Sequence, residues 1–281
     1  SLVDSINISR QLSQRFGLAN GLTIADHDVP GITRGIIPPA SSMGVRGLYV
    51  GADNAAMALL PPAGSPVSTP GAYPHCYLFA FRWKDASSNQ SLLALWHTGG
   101  MAPSSGGRSF ATLEATTLVL PSIRTAVAVR EQGGDWPPHG IYASHAQVLT
   151  DMEALQKRFP AAVVKAASFD DVMHALESPA AEIPVATAEV GDTWIYGTAS
   201  DPYRVAAMRA IARTRDEFLQ DQKSPGSAID YRYWHFSLLF AVNFESTWGL
   251  KDVTGYGGEL PSMFNTSSTS YWCSREGFDP N

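Results

Sequence analysis

The sequence predicts an α/β fold with a largely parallel sheet followed by a helical region, and three observations carry that expectation. Short apolar runs of β-like composition lie at residues 22–25, 47–51, 77–83 and 92–96. Helical patterns alternate with such runs, most clearly across 149–176, where helix, strand and helix follow one another. Alternation of this kind produces parallel strands joined by crossover helices. Beyond residue 200 the pattern changes to two helical segments and a tail rich in Gly, Ser, Thr and aromatic residues. There is no internal repeat and no sharp compositional break. The expected division is an α/β region over 1–190 and a helical region with an irregular tail over 191–281.

Each element has a local reason. Residues 4–16 read as a helix: Ile6, Leu12 and Phe16 are apolar, Arg10 and Arg15 polar, and Gly17 stops it. The strand 22–25 leads into an acidic run. Residues 36–43 form a helix or a loop around Pro38-Pro39. The strand 47–51 precedes an exposed loop over 60–74, rich in Pro, Gly and Ser. Strands 77–83 and 92–96 flank 84–90, which has hairpin composition. A glycine-rich loop covers 99–107, and 112–130 alternates poorly and reads as helix-capable. A strand at 140–143 precedes an amphipathic helix over 149–159, ended by Pro160, and 162–166 reads as a further strand. Ser168 caps a helix reaching Leu176, with Asp170 and Asp171 in its favoured first turn. Ser200-Asp201-Pro202 opens the next helix, on which Val205, Met208, Ile211 and Phe218 make an apolar stripe. The mostly apolar helix at 229–243 should be largely buried.

Composition narrows the function classes. The 281 residues are 44% apolar and 16% charged, with a formal charge of -6. That balance argues against a nucleic-acid backbone as partner and fits a neutral or weakly charged ligand. No apolar stretch approaches the length of a membrane span. Cys76 and Cys273 are the two cysteines, and their spacing does not decide whether they pair. Three sequons, at Asn7, Asn89 and Asn265, favour a secreted or luminal setting. The first residues, Ser1-Leu2-Val3-Asp4-Ser5, lack the basic start and apolar core of a signal peptide. Walker, dinucleotide and Gly-x-Ser-x-Gly motifs are absent.

Four constellations carry chemistry. Asp26-His27-Asp28 lies at the end of a strand before Pro30-Gly31, where α/β folds place their reacting groups. Asp26 and Asp28 share a face if strand geometry continues; the alternative is an N-cap and turn. His97 precedes Gly99-Gly100 and is a ligand or substrate contact, or else a packed histidine. Asp192, Trp194 and Tyr196 put a carboxylate beside an indole and a phenol, a combination suited to a sugar's apolar face and hydroxyl rim; the alternative is a core strand with a capping Asp. Phe244-Glu245-Ser246-Thr247-Trp248-Gly249 is a further aromatic and acidic group, or a helix end stopped by Gly249.

These residues support a resemblance. Asp28-Val29-Pro30-Gly31-Ile32-Thr33, followed by Gly44-Val45-Arg46-Gly47-Leu48-Tyr49-Val50-Gly51, resembles a segment of the family 38 glycoside hydrolases, the α-mannosidases. It is closer still to the DUF5054 proteins, a bacterial and fungal branch. Gly191-Asp192-Thr193-Trp194, then Gly197-Thr198-Ala199-Ser200-Asp201-Pro202, and Thr247-Trp248-Gly249 are similar to that branch as well. The resemblance implies an incomplete (β/α)-barrel-like domain, a glycan as substrate and a zinc ion. By it Asp28 is nucleophile and zinc ligand and Asp192 stands at a zinc-ligand position; beside it, the residues themselves make His97, Trp194, Tyr196 and Trp248 the expected glycan contacts. A retaining mechanism would also need a second carboxyl group about 5 Å away.

The chain departs from the family in ways that matter. The mannosidases take two ligands from a His-x-Asp upstream of the aspartate, and the 27 residues before Asp28 hold no such motif. Ile32 stands where the family has histidine, and Tyr196 and Ser246 replace further histidines. The expectation is therefore a carbohydrate-active domain whose missing ligands come from an N-terminal segment or another chain. Its alternative is a non-catalytic relative that binds glycans or assembles with other chains.

Overall fold

The structure, a computed structural model, describes residues 2–29, 32–52, 61–68, 77–97, 117–129, 145–190, 202–221 and 231–242. The chain divides into two compact units, Ser9–Thr193 and Ser1–Ile8 with Trp194–Asn281.

The larger unit is mixed α/β with a mostly parallel five-stranded sheet. Its strands are β1 (Thr23–Val29), β2 (Gly47–Ala52), β3 (Leu78–Lys84), β4 (Ser91–His97) and the short edge strand β7 (Val185–Ala186). They lie in the order β1-β2-β4-β3-β7. β1, β2 and β4 run parallel, while β3 is antiparallel to β4 and parallel to β7. A second sheet is a hairpin of β5 (Thr117–Leu120) and β6 (Thr125–Ala128).

Helices and the hairpin cover the sheet on both faces. On one face Tyr49, Leu78, Ala80, Leu93 and Leu95 form a core with Leu118, Leu120 and Val127 of the hairpin. Met173 and Leu176 of helix α4 (Phe169–Leu176) complete it. On the other face Phe79, Phe81, Trp83 and Trp96 pack ring against ring at 5.7–6.3 Å. The buried Ile37 and Ala40 belong to helix α2 (Ile37–Ser42), which contacts β4. Burial on both sides explains why β4 reads as a continuous apolar run instead of an alternating one.

Local chemistry sets the element ends. Helix α1 (Leu2–Arg15), in which the boundary between the units falls, stops at Gly17 with φ +64°. There the Leu18 N–H bonds to the Ser13 carbonyl and the Gly17 N–H to that of Gln14. Ser168 and Asp171 form a reciprocal capping box on α4. In the β3–β4 turn the Asp85 carboxylate accepts from the Ser87 hydroxyl and the Ser88 N–H, at 2.6 and 2.7 Å. Those bonds hold its pKa down at about 2. Asn89 turns the corner at φ +61°, a conformation asparagine tolerates.

Three sequence expectations change. Residues 112–130 hold the β5–β6 hairpin and not a helix within their described part, 117–129. Its strands are four residues each, and its turn uses Arg124 at φ +51° where no glycine marks it. Residues 162–166 are not a strand: they pair with no strand among the described residues, and Val163 is 88% exposed. The strand expected at 22–25 is longer: β1 runs through the acidic run and ends at Val29.

The smaller unit contains the start of α1 and the helices α5 (Pro202–Asp221) and α6 (Tyr231–Val242), with α3 (His145–Arg158) belonging to the larger one. Arg215 of α5 donates to Asp4 from both terminal nitrogens and to the Tyr233 hydroxyl from Nε. Phe218 stacks on Tyr233 at 5.8 Å. Met208 and Phe240 are buried, yet Ile211, Phe218, Phe236 and Leu239 are exposed. The α5 stripe is thus buried only in part, and α6, expected to be largely buried, leaves Phe236 and Leu239 exposed.

Candidate functional site

Three parallel strands end together, and that edge carries the acidic run. Register places His27, Gly51, His97 and Leu78 in one row across β1, β2, β4 and β3. The row before it is Asp26, Val50, Trp96 and Phe79. Gly51 puts no side chain between β1 and β4, whose backbones lie two strand spacings, about 10 Å, apart. The Asp26–Asp28 run and His97 are therefore brought to one end of the sheet.

The backbone at Asp28 is irregular. Register shifts between His27 and Val29, so Asp28 has no Cα partner on β2. The regular pairing on which a shared face of Asp26 and Asp28 was conditional is therefore interrupted at Asp28. Asp26 itself is half-buried in the row on the α2 face.

His97 is 1% exposed, on the face occupied by Tyr49 and Leu95. Beside it in the sheet, Trp96 buries an indole N–H with no hydrogen-bond acceptor among the described residues. A buried donor of this kind is normally matched by a polar partner. Tyr77 stands immediately before Leu78 at the same edge, and burial pushes its phenol above the usual value. Neither Trp96 nor Tyr77 was singled out from sequence; for Trp96 the available signal was a polar-tipped aromatic at the end of an otherwise aliphatic strand.

The segment leading to Asp192 is tied to the crossover after β1. Arg34, six residues past Asp28, donates its side chain to the Thr187 carbonyl. Its N–H donates to the Glu189 carboxylate at 2.5 Å. Trp83 Nε1 donates to the Ala188 carbonyl at 2.9 Å. Val190, two residues before Asp192, is buried. Arg34 and Glu189 hold this connection, and sequence reading gave neither a role.

Asp192, Trp194, Tyr196 and Trp248 lie outside the described residues, as do Cys76, Cys273, the 99–107 loop, the 140–143 strand and Asn265. Among the described residues no group of three His, Cys, Asp or Glu side chains could hold a metal ion. Nor is any described helix long and apolar enough to cross a membrane. In comparisons with protein-family models, curated proteins and solved structures, nothing matches the chain.

Proposed function

We propose that the chain is a carbohydrate-active, glycoside-hydrolase-like domain whose centre lies at the C-terminal ends of β1, β2 and β4. The observation that carries this reading is the common row of His27, Gly51 and His97, which sets the acidic run beside a second polar strand end. Open sheets of parallel strands bind ligands at this edge. The Arg34–Glu189 bond supports it further, because it ties the segment that follows Asp28 to Glu189, three residues before Asp192 in the sequence.

In this reading Asp28 attacks the anomeric carbon while a second carboxyl group protonates the departing oxygen, and water deprotonated by that same group then displaces Asp28 from the glycosyl-enzyme, so that the two inversions give net retention. The aromatic rings of Trp194, Tyr196 and Trp248 would receive the apolar face of the sugar. A (β/α)-barrel arrangement and zinc belong to the proposal through the α-mannosidase likeness. The described donors do not make a zinc site, and two carboxylates alone hold zinc weakly, so no step is routed through the metal. Secretion is proposed from the sequons. Asn7 and Asn89 are both exposed, which leaves them open to glycan attachment.

A panel of aryl glycosides tests the centre, with the product anomer followed by NMR. Asp28→Asn should reduce turnover by about a hundredfold or more. Unchanged turnover removes the nucleophile assignment. A second reading, a glycan-binding relative without catalysis, is favoured by the burial of His97 and by Ile32 in the family's histidine position. It is chosen if glycans bind, no bond is cut, and binding survives Asp28→Ala.

A further inference from the structure

We propose that the opposite end of the same sheet is a binding site for a phosphate group, carried by a small phosphorylated molecule or as the free ion. A cleft of about 290 Å³ opens there, lined by Ser41, Gly44, Val45, Arg46, Arg82, Ser91 and Glu177. Its residues come from the end of α2, the approach to β2, the β3–β4 hairpin and the end of α4. The volume is close to the lower bound of small-molecule sites, about 300 Å³.

The lining is cationic in a chain of net charge -6. Arg82 occupies a row whose neighbours are Leu93 and Val185, an apolar setting for a half-buried guanidinium. Arg46 approaches Glu177 only to 3.9 Å, beyond hydrogen-bonding distance, and is 64% exposed. Its donors are therefore not committed to that carboxylate.

Arg10 adds a third guanidinium. A Cβ on Gly44 would meet Arg10 Nη2 at 3.6 Å, so the Arg10 head lies against the cleft wall. Arg10 Nε is buried with no hydrogen-bond partner among the described residues. Gly44 sits at φ +77°, a left-handed turn that glycine adopts without strain. The Ser41 and Ser91 hydroxyls supply neutral donors. Arginine forks and hydroxyl donors around a small polar cleft match a tetrahedral dianion. The single carboxylate, Glu177, opposes it, and that opposition gives the test its sign.

The site is independent of the glycan reading, because it lies at the far end of the strands from Asp28. The experiment is calorimetric titration of the full chain with inorganic phosphate and with a sugar monophosphate, chloride serving as the control. Saturable binding of either phosphate supports the site, and the tighter of the two identifies the source. Arg82→Gln and Arg46→Gln should each weaken that binding about tenfold. Glu177→Gln should tighten it severalfold by removing the competing charge. Arg46 and Glu177 lie toward solvent, so these two variants decide the matter even if Arg82→Gln does not fold. The proposal is overturned if neither phosphate binds saturably at millimolar concentration, if no substitution shifts the binding, or if Glu177→Gln weakens it.

Discussion

Met173 packs over Gly47 so closely that no side chain fits at that glycine. A Cβ on Gly47 would lie 2.4 Å from Met173 Cγ and 2.8 Å from Thr23 Oγ1. Helix α4 thus rests directly on the first residue of β2. Gly47→Ala should destabilise the larger unit by about 1–3 kcal/mol through overpacking. In urea unfolding, Gly47→Ala combined with Met173→Ala should cost less than the sum of the two single changes. Strictly additive costs would show that the two residues do not compete for the space.

The charge pair of the smaller unit is the next test. Asp4 is 2% exposed, and its partner Arg215 also stacks over Tyr233 and Phe240. Asp4→Ala leaves a buried guanidinium uncompensated and should cost about 3–5 kcal/mol. The double replacement Asp4→Leu with Arg215→Met should cost much less, because neither charge then remains unpaired. Chemical denaturation of the two variants beside the parent chain measures the difference.

Acid acts on the β3–β4 turn with a definite sign. The folded pKa of Asp85 is about 2, below its ordinary value of 3.8, mainly because the Ser87 and Ser88 hydroxyls and the Ser88 N–H bond to the charged form. Its stabilising contribution is therefore full above about pH 4 and is lost as pH falls through about 2. The Ser88 amide resonance should titrate across that window, and Asp85→Asn should abolish the titration.

Removal of the α4 cap should be felt locally. Ser168→Ala deletes the acceptor for the Asp171 N–H and should cost about 1 kcal/mol. Asp171 itself is held below its usual pKa, first by the Ser168 hydroxyl, so the substitution should also raise that pKa. Thermal unfolding and carboxyl titration by NMR read the two effects separately.

Arg34→Ala tests the tether toward Asp192. It removes the side-chain bond to the Thr187 carbonyl and leaves the backbone bond to Glu189. Hydrogen exchange should accelerate over 187–190 and remain unchanged in β4. If the proposed centre is active, turnover should fall with it.

Much of the secondary structure was legible because its causes are a few residues apart. Gly17, the Ser168–Asp171 box, Pro202 and the polar turn at 84–90 each announce an end through their own hydrogen bonds or torsions. The β5–β6 hairpin was not legible. Its strands are too short for a period to register, and Arg124 gives no turn signal. The two residues of β7 were missed because what makes them a strand is the edge of β3, more than a hundred positions away.

For the sites the division is the same. The sequence by itself determined that an acidic run would end a strand at Asp28 and that His97 would end another. It did not determine that those strands are separated only by β2, that the register shifts at Asp28, or that His97 is sealed from solvent. Nor did it bring Arg46 and Arg82 to one cleft, with Arg10 behind Gly44. Caps and turns follow from contacts along the chain, whereas strand order follows from covering both faces of a sheet, a condition that only distant segments can satisfy together.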